Sequence, residues 1–474
     1  MFKVLNSFCT LLVILMVTAT VHADVVKVID SPKDAIQIRV DLIQQAKSYV
    51  NIQYYEFVND EVARFLQAVI RQAAQGSPGR DPVTVRLLVD NYQNSMSPGV
   101  AKALADAHVQ IKVYHPFSLL KLSQAHRRMH DKDIIVDGKK LLTGGRNVAN
   151  DYYGIGGTAF IDRDVYAEGE SAQAADSYFM SLWNSKEVEP LKIPQMPTDV
   201  KTLAECNQID DQQEAQQCRK DSKLAQDISE APGALDAMVE NPPKEIPVKF
   251  FTNKDWAAGE RDVPVRYLHD MPGAEDNTHG VYGDVVALMK TADDSITIET
   301  PFLVPSSDMM EVLKSLTNPN RPSLDPARPP HAVKVRILTN SLMSAGPQGI
   351  MAQTGYESIK QQLLDMKIDL WETKSTFIHA KSFVIDGKTA IIGSFNMDVR
   401  SQRLNSEVAL VIFDEQVAKD LSASMESHLL ESYQLDRIGF PMTDDHRFPN
   451  VKQGVVTKMR IFQALLIPFL RDQL

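Results

Sequence analysis

The 474-residue sequence predicts an α/β protein made of two repeated domains, each a mixed β-sheet flanked by helices. Three observations lead to this prediction. Apolar runs typical of strands alternate with stretches of helical period, as in α/β units. The second half repeats the first at an offset of about 250 residues. A chain of this length also exceeds what one small core can organise. We therefore expect two similar domains about a pseudo-two-fold axis, with an active site at their interface.

The repeat can be followed element by element. "SYVNIQYYEFVNDEVARFLQAVI" corresponds to "DSITIETPFLVPSSDMMEVLKSL", a β-rich run followed by a helical period. "VTVRLLVDN" at 83–91 corresponds to "VKVRILTNS" at 333–341, and "VQIKVYH" corresponds to "KIDLWET". The predicted organisation is a signal peptide at 1–23, a first domain at 24–190, a linker or insert at 191–245, a second domain at 246–440 and an amphipathic tail at 441–474.

The first residues have the pattern of an export signal. Lys3 precedes the short apolar run "FCTLLVILMV", and Val21 and Ala23 suit cleavage before Asp24. The alternative is an uncleaved anchor, but the run is shorter than the roughly 20 residues that span a bilayer. We expect an exported protein, periplasmic or secreted.

The segment at 191–245 is rich in charged residues, glutamine and proline, with little apolar periodicity. It is interpreted as a linker or surface insert with room for a short helix. Cys206 and Cys218 lie 12 residues apart in it. In an oxidising compartment they can close a local disulfide loop, and two free thiols are the alternative.

The two histidine stretches carry the strongest chemical signal. "RRMHDKDIIVDGKKLLTGGRN" contains His130 and Lys132, and "FIHAKSFVIDGKTAIIGSFNM" contains His379 and Lys381. On a strand, residues two apart leave the same face. One histidine of this kind is more often a core or surface residue than a catalyst. The same spacing in both repeated halves indicates a functional pair.

Asp137 and Asp386 follow the two stretches and are candidate catalytic residues. Each is followed by glycine in "VDGK" or "IDGK", a hairpin-turn signal. Shaping that turn is an equally good interpretation of both aspartates.

Small residues and an asparagine end each returning strand. They are Gly144, Gly145 and Asn147 in the first half, and Gly393, Ser394 and Asn396 in the second. Small residues let an anion approach backbone N–H groups, and the amide adds a donor. Asp164 and Glu407 are taken as equivalent carboxylates that hold a histidine in one tautomer.

Two histidines, two lysines and two asparagines around one volume suit a phosphodiester. The lysines offset the charge of the phosphate, and the amides steady its oxygens. One histidine can attack phosphorus while the other protonates the leaving alcohol. The residues lack the carboxylate or cysteine–histidine spacing of a metal site, so we expect no metal and no cofactor.

These residues resemble the signature of the phospholipase D superfamily, His-x-Lys-x4-Asp followed by Gly-(Ser/Gly)-x-Asn, in two complete copies. "VNIQYYEF", "VRILTNSLMS" and "GSFNMDVRSQRLNSE" are further similar to bacterial cardiolipin synthases of the form lacking two amino-terminal membrane helices. The resemblance covers about 35–470. It implies phosphatidyl transfer through a phosphohistidine, with His130 as the nucleophile and His379 as acid and base.

The expected substrate is a phospholipid, and the leading hypothesis is cardiolipin synthesis from phosphatidylglycerol, with or without phosphatidylethanolamine. The alternative is a secreted phospholipase D that releases phosphatidic acid. A nuclease is disfavoured by the duplication and by the net charge of −11, and we expect no nucleic-acid partner. An inactive lipid-binding relative is disfavoured by the two intact motifs. A single chain is expected to supply the whole active site.

Peripheral contact with a membrane surface is expected at two places. Lys121, Arg127 and Arg128 lie beside the first motif, where they can meet anionic headgroups or stay solvated. The tail "VVTKMRIFQALLIPFLRDQL" can lie in a membrane interface or pack as a terminal helix.

Overall fold

The computed structural model describes residues 22–116, 126–157, 159–271, 280–346, 349–439 and 441–442. The strands are β1 (His22–Ile29), β2 (Tyr49–Phe57), β3 (Thr84–Asn94), β4 (Gln110–Tyr114), β5 (Lys132–Val136), β6 (Lys140–Gly144), β7 (Asp164–Glu168), β8 (Val188–Pro190), β9 (Asp262–His269), β10 (Ser295–Glu299), β11 (Leu303–Val304), β12 (Lys334–Asn340), β13 (Asp369–Thr373), β14 (Ser382–Ile385), β15 (Thr389–Gly393), β16 (Met397–Asp398), β17 (Val408–Ile412) and β18 (Ser432–Gln434). The helices are α1 (Pro32–Gln45), α2 (Glu61–Gln75), α3 (Pro98–Asp106), α4 (Glu170–Trp183), α5 (Leu203–Cys206), α6 (Gln212–Glu240), α7 (Val281–Lys290), α8 (Ser307–Leu316), α9 (Ile350–Asp365), α10 (Val399–Arg403) and α11 (Glu415–Leu429), with a 3₁₀ turn at Asn150–Tyr153.

One mixed sheet runs through the molecule in the order β18-β13-β12-β10-β14-β15-β17-β9-β1-β7-β6-β5-β2-β3-β4-β8. At its centre β1 pairs antiparallel with β9. Outward from that pair, the order β1, β7, β6, β5, β2, β3, β4, β8 in one half matches β9, β17, β15, β14, β10, β12, β13, β18 in the other. The predicted α/β fold with two repeated domains is therefore confirmed.

Helix signals in the sequence account for the helices that cover this sheet. Ser31 caps α1 by accepting from the Asp34 N–H, and Pro32 suits the first helical position. Asp60 caps α2 by accepting from the Ala63 N–H. Strands β2, β3 and β4 pair in parallel. Most residues of β2 are buried, although the polar Asn51 and Gln53 interrupt its apolar sequence.

The core has one large apolar cluster in each domain, a third large cluster that both domains share, and a small fourth cluster around Ile378. The shared cluster includes Val26 and Val165 from the first half, Val265 and Leu410 from the second, and Phe179 from α4. Burial of apolar surface common to the two halves fixes their relative position. The site described below depends on that position.

The insert differs from its prediction. Only a short helix was expected between 191 and 245, but α6 is 29 residues long. Its buried face is narrow and alanine-rich, which explains why the sequence showed little apolar period. The carboxylate of Asp227 anchors it to the first domain by accepting from the Gly99 N–H at 2.6 Å. The predicted disulfide between Cys206 and Cys218 is present and ties α5 to α6.

Several predicted features lie outside the described residues. They are the signal peptide apart from His22 and Ala23, Lys121, and the amphipathic tail beyond residue 442. Among the helices that are described, none has both the length and the apolar character needed to cross a membrane.

Candidate active site

The two histidine motifs occupy matching places in the two halves. His130 lies just before β5, which begins at Lys132, and His379 lies just before β14. All four side chains are buried: His130 is 6% exposed, His379 5%, Lys132 1% and Lys381 2%. The lysine ammonium groups turn back to their own histidines, since Lys132 Nζ donates to the His130 carbonyl and Lys381 Nζ to the His379 carbonyl.

Each histidine is held by a carboxylate from the opposite half. His130 Nδ1 lies 2.9 Å from Glu407 Oε2, and His379 Nδ1 lies 2.7 Å from Asp162 Oδ2. Backbone hydrogen bonds also join each histidine to the opposite half. The His130 N–H donates to the Ser406 carbonyl at 2.9 Å, and the His379 N–H donates to the Ile161 carbonyl at 2.7 Å. The halves thus supply each other's histidine supports.

This arrangement corrects the prediction for Asp164. The partner of His379 is Asp162, whereas Asp164 Oδ2 accepts from Arg39 at 2.9 Å and from Arg146 at 3.1 Å. The strand register explains the difference. Gly144 pairs with Asp164, and the equivalent Gly393 pairs with Ala409. Asp162 and Glu407 each lie two residues before those partners, so they are the equivalent pair.

The carboxylates fix the tautomer of both rings. A carboxylate beside Nδ1 accepts a hydrogen bond from the Nδ1–H group, which leaves the lone pair on Nε2. Burial lowers the pKa of His130 to about 4, against the opposing attraction of Glu407. Burial, reinforced by Lys381, lowers the pKa of His379 to about 3. Both imidazoles are therefore neutral near pH 7 before an anion binds.

The lysines and carboxylates are shifted as well. Burial lowers the pKa of Lys132 to about 8 and that of Lys381 to about 7. Burial alone would raise the pKa of Asp162 and of Glu407, but the attraction of the histidines and lysines overcomes it and lowers both. The site keeps its carboxylates ionised and holds cations that are ready to lose their protons.

The small residues after each motif support the carboxylates. A side chain at Gly145 would collide with Asp162 Oδ1. The Ser394 hydroxyl donates to Glu407 Oε2, and the Ser394 carbonyl lies 3.1 Å from His130 Nδ1. Gly145 and Ser394, predicted to contact substrate, therefore shape the supports of the histidines.

The two asparagines of the motifs are buried and differ in their contacts. Asn147 Nδ2 donates to Glu56 Oε2 at 2.9 Å and lies 2.8 Å from the Tyr152 hydroxyl. The Asn396 backbone N–H donates to Ser401 Oγ at 3.2 Å. Among the described residues, the side-chain oxygens of Asn147 and Asn396 have no hydrogen-bond partner.

Asp137 and Asp386 lie at the far ends of β5 and β14, away from the histidines. Asp137 accepts from the backbone N–H groups of 47–49 at 2.8–2.9 Å, and Asp386 from those of 293–295 at 2.8 Å. Both have positive φ, 53° and 50°, as the first residue of a tight hairpin turn requires. Five residues of strand span roughly 16 Å. The structure thus favours the turn role over the catalytic role for both.

Sequence reasoning missed Asp162, Glu56 and Tyr152. The Tyr152 ring packs edge-on against His379 with centroids 5.0 Å apart, and its hydroxyl lies 3.2 Å from Glu56 Oε2. The sequence "FIDRDV" contains two aspartates, Asp162 and Asp164. Their spacing alone does not show which one contacts the histidine. Glu56 stands in the quoted "QYYEF" run, where only its strand character was used.

The arrangement can carry out substitution at a phosphodiester. A neutral imidazole with a free lone pair can attack phosphorus, and a second imidazole across the site can carry a proton. Two ammonium groups can stabilise the charge that develops on the phosphoryl oxygens. Within the described ranges, no group of three or more histidine, cysteine, aspartate or glutamate side chains is placed to hold a metal ion.

The chain is similar to known proteins both in sequence and in fold. The protein family described as "Cardiolipin synthase, PLD-like domain" matches residues 40–183 and 285–429, one match in each half. Cardiolipin synthase C of Escherichia coli K12 is 28% identical over 425 residues, covering 81% of this chain and 80% of that protein. The major cardiolipin synthase ClsA of Bacillus subtilis 168 is 24% identical over 414 residues, covering 86% and 69%. In fold, a phosphatidylserine synthase from Haemophilus influenzae Rd KW20 superposes with a TM-score of 0.65 at 12% identity, covering 95% of each chain.

Proposed function

This chain belongs to the cardiolipin synthase, PLD-like domain family of phospholipid-modifying enzymes, and on that premise we propose that it joins phosphatidyl groups into cardiolipin through a phosphohistidine. The proposed donor is phosphatidylglycerol, with phosphatidylethanolamine as a second donor. The proposal depends above all on the crossed supports, Glu407 on His130 and Asp162 on His379. They give two neutral imidazoles whose Nε2 atoms are available for chemistry.

In the first step, His130 Nε2 attacks phosphorus and the bond from phosphorus to the headgroup oxygen breaks. His379, which takes up a proton from solvent at Nε2 when the diester binds, gives that proton to the departing alkoxide, so the headgroup leaves as an alcohol. The phosphate diester brings a negative charge that favours protonation of His379, against the burial that keeps it neutral in the free enzyme. In the second step, His379 takes the proton of an acceptor hydroxyl, whose oxygen attacks phosphorus and releases His130.

The contacts of the two rings support this division of roles. Lys381 Nζ lies 3.0 Å from His379 Nε2, where it competes for that lone pair. The described contacts of the His130 ring nitrogens are both at Nδ1. Among the described residues no ammonium group is hydrogen-bonded to the His130 ring, which suits a nucleophile, so we assign that role to His130. We also propose that one chain supplies both halves of the site.

Product analysis by mass spectrometry tests the function. Purified protein is given phosphatidylglycerol vesicles with and without phosphatidylethanolamine, beside His130→Ala as the control. Cardiolipin as the main product is expected, and none from the variant. Phosphatidic acid with little cardiolipin would replace the proposal with a phospholipase D, in which water wins the second step.

We further propose that the protein is exported and meets its lipid as a peripheral protein. The support is the pattern of residues 1–23 and a substrate class that resides in membranes. Amino-terminal sequencing of the protein from fractionated cells is expected to begin at Asp24 in the periplasmic or membrane-face fraction. A chain in the cytosol that retains residues 1–23 would overturn export.

A further inference from the structure

The carboxylate of Glu56 lies close to residues that are proposed to bind an anionic phosphate. Glu56 lies near the end of β2 and is half-buried, and it reaches Asn147 at 2.9 Å and the Tyr152 hydroxyl at 3.2 Å. Lys132 attracts it, yet burial raises the pKa of Glu56. A negative group beside the lysine that faces phosphate weakens phosphate binding by repulsion. Binding of the phosphate therefore does not account for Glu56.

Both contacts of Glu56 go to one oxygen. Asn147 and Tyr152 reach Oε2, and Oε1 has no protein partner among the described residues. A second acceptor, Asn147 Oδ1, also has no described partner. A carboxylate and an amide oxygen need a hydrogen-bond donor, and a phosphate diester has none. A ligand that replaces water at this corner would therefore satisfy these oxygens by bringing an O–H or N–H group.

The position of the corner indicates which part of the substrate arrives there. Tyr152 contacts Glu56 through its hydroxyl and packs its ring edge-on against His379, centroids 5.0 Å apart. His379 is the proposed proton carrier for the departing and arriving alcohol. Glu56 is therefore linked through Tyr152 to the histidine that handles the alcohol. An alcohol with a second hydroxyl can react with one and donate the other to Oε1.

We propose that Glu56, positioned by Tyr152 and Asn147, is the subsite for a second hydroxyl on the acceptor alcohol and so selects polyol acceptors such as the glycerol headgroup. This inference rests on the proposed function, since it names the acceptor class of the same reaction. The carboxylate favours an alcohol with two or more hydroxyls over water or a simple alcohol, because only the former satisfies Oε1 while it reacts.

A competition between two acceptors tests the inference. Full-length protein is given phosphatidylglycerol vesicles with deuterated glycerol and 1-propanol at equal concentration. Mass spectrometry then measures the ratio of labelled phosphatidylglycerol to phosphatidylpropanol. Both products come from one covalent intermediate, so the ratio does not depend on overall rate. We expect the wild type to favour glycerol and Glu56→Leu to lower the ratio about tenfold or more, as loss of a hydrogen bond to a charged group implies.

Two further variants sharpen the test. Glutamine has one acceptor oxygen in place of two, so Glu56→Gln can serve Asn147 or the hydroxyl but not both, and a smaller fall in the ratio is expected. Asp151→Asn removes a negative charge from the residue next to Tyr152 and should leave the ratio unchanged. If Glu56→Leu does not fold, Glu56→Gln decides the matter.

The outcomes separate this inference from the function beneath it. A wild type that transfers to neither alcohol and forms no cardiolipin overturns the proposed function, and the inference with it. A wild type that transfers, with the same ratio in both Glu56 variants, overturns the inference alone. Loss of both products in both variants would place Glu56 in the chemical step and would likewise overturn it.

Discussion

The half-site around His130 and the half-site around His379 have the same motif and unlike surroundings. Each histidine has a lysine two residues on and a carboxylate from the other half at 2.7–2.9 Å. Lys132 reaches the carbonyl of His130, whereas Lys381 also lies 2.8 and 3.0 Å from the ring nitrogens of His379. The two halves therefore offer different surroundings for the roles of nucleophile and proton carrier.

The neighbours outside the motif differ more than the motif does. Gln53 pairs with Asp133, and the equivalent Glu299 pairs with Ser382. Three residues beyond these strand positions stand Glu56 in the first half and Phe302 in the second. Phe302 packs toward Phe377 with centroids 6.3 Å apart, so the second half has an aromatic group where the first has a carboxylate. The repeated fold is common to both halves, and residues outside the motifs make the two half-sites different.

The largest expected effect comes from removing either histidine. His130→Ala and His379→Ala should each lower turnover of phosphatidylglycerol about 10³-fold or more, because the pair acts as a unit. The two variants should differ on a phosphodiester whose leaving group is 4-nitrophenol, because a good leaving group needs no proton donor. His379→Ala is expected to form a phosphohistidine at residue 130, found by mass spectrometry of the quenched enzyme. An adduct at residue 379 in His130→Ala would reverse the assigned roles.

The next effect concerns the two supports. Glu407→Gln and Asp162→Asn should each lower kcat about 10²-fold or more, because an amide can no longer hold the histidine in the required tautomer. The matched control is Asp164→Asn, two residues from Asp162. Its carboxylate pairs with buried Arg39 and Arg146, so the variant should lose about 3 kcal/mol in the free energy of unfolding. A fall in kcat for Asp164→Asn that exceeds the fall for Asp162→Asn, at equal folded fraction, would contradict the assignment.

The pair Asp162 and Asp164 also marks the limit of sequence reasoning. The repeat, the spacing of each motif and the turn signals at Asp137 and Asp386 are local patterns, and they predicted the α/β halves and the positions of both histidines. In an extended segment, Asp162 and Asp164 point to the same side, so only the pairing of Gly144 with Asp164 separates them. That pairing is a tertiary fact, and so is the crossing of each carboxylate into the other half.

The prediction of a short helix in the insert was wrong for a different reason. Helix α6 has few apolar residues because it covers only part of the first domain with a narrow face, so the usual apolar period is absent. Glu56 was passed over because a carboxylate at the end of a strand has no signal of its own. Its role becomes visible only through its contacts with Asn147 and Tyr152, which lie about 90 residues away in sequence.

A smaller effect is expected from pH, and it should fall unequally on the halves. Burial lowers the pKa of Lys381 to about 7 and that of Lys132 to about 8, so the Lys381 half loses its positive charge first as pH rises. We expect kcat/KM, which reports the free enzyme, to fall from about pH 7 upward and more steeply above pH 8. On the acid side kcat/KM should rise further as pH falls toward about 4, because His379 must take up a proton and its pKa in the free enzyme is about 3. Below about pH 4 it should fall, because protonation of His130 removes the nucleophile.

Lys381→Arg is the matched variant for this profile, because arginine keeps its charge throughout the range. Its alkaline limb should move toward the pKa of Lys132, whereas Lys132→Arg should leave the onset near pH 7. A wild-type profile that stays flat to pH 9 would show that neither lysine loses its proton in this range, and that the two halves do not differ in this respect.

The smallest effect on activity should come from the insert, which lies between β8, the last strand of the first domain, and β9, the first strand of the second. Reduction of Cys206–Cys218, or the double serine variant, should lower the stability of the α5–α6 segment by about 2–3 kcal/mol, the scale expected for a loop this short. Hydrogen exchange along α6 measures that loss, with the sheet strands as the internal reference. Turnover should change less than twofold, because α6 packs on the first domain away from both histidine stretches. If turnover instead fell with the bridge, the inequality of the half-sites would depend on the insert as well as on residues such as Glu56 and Phe302.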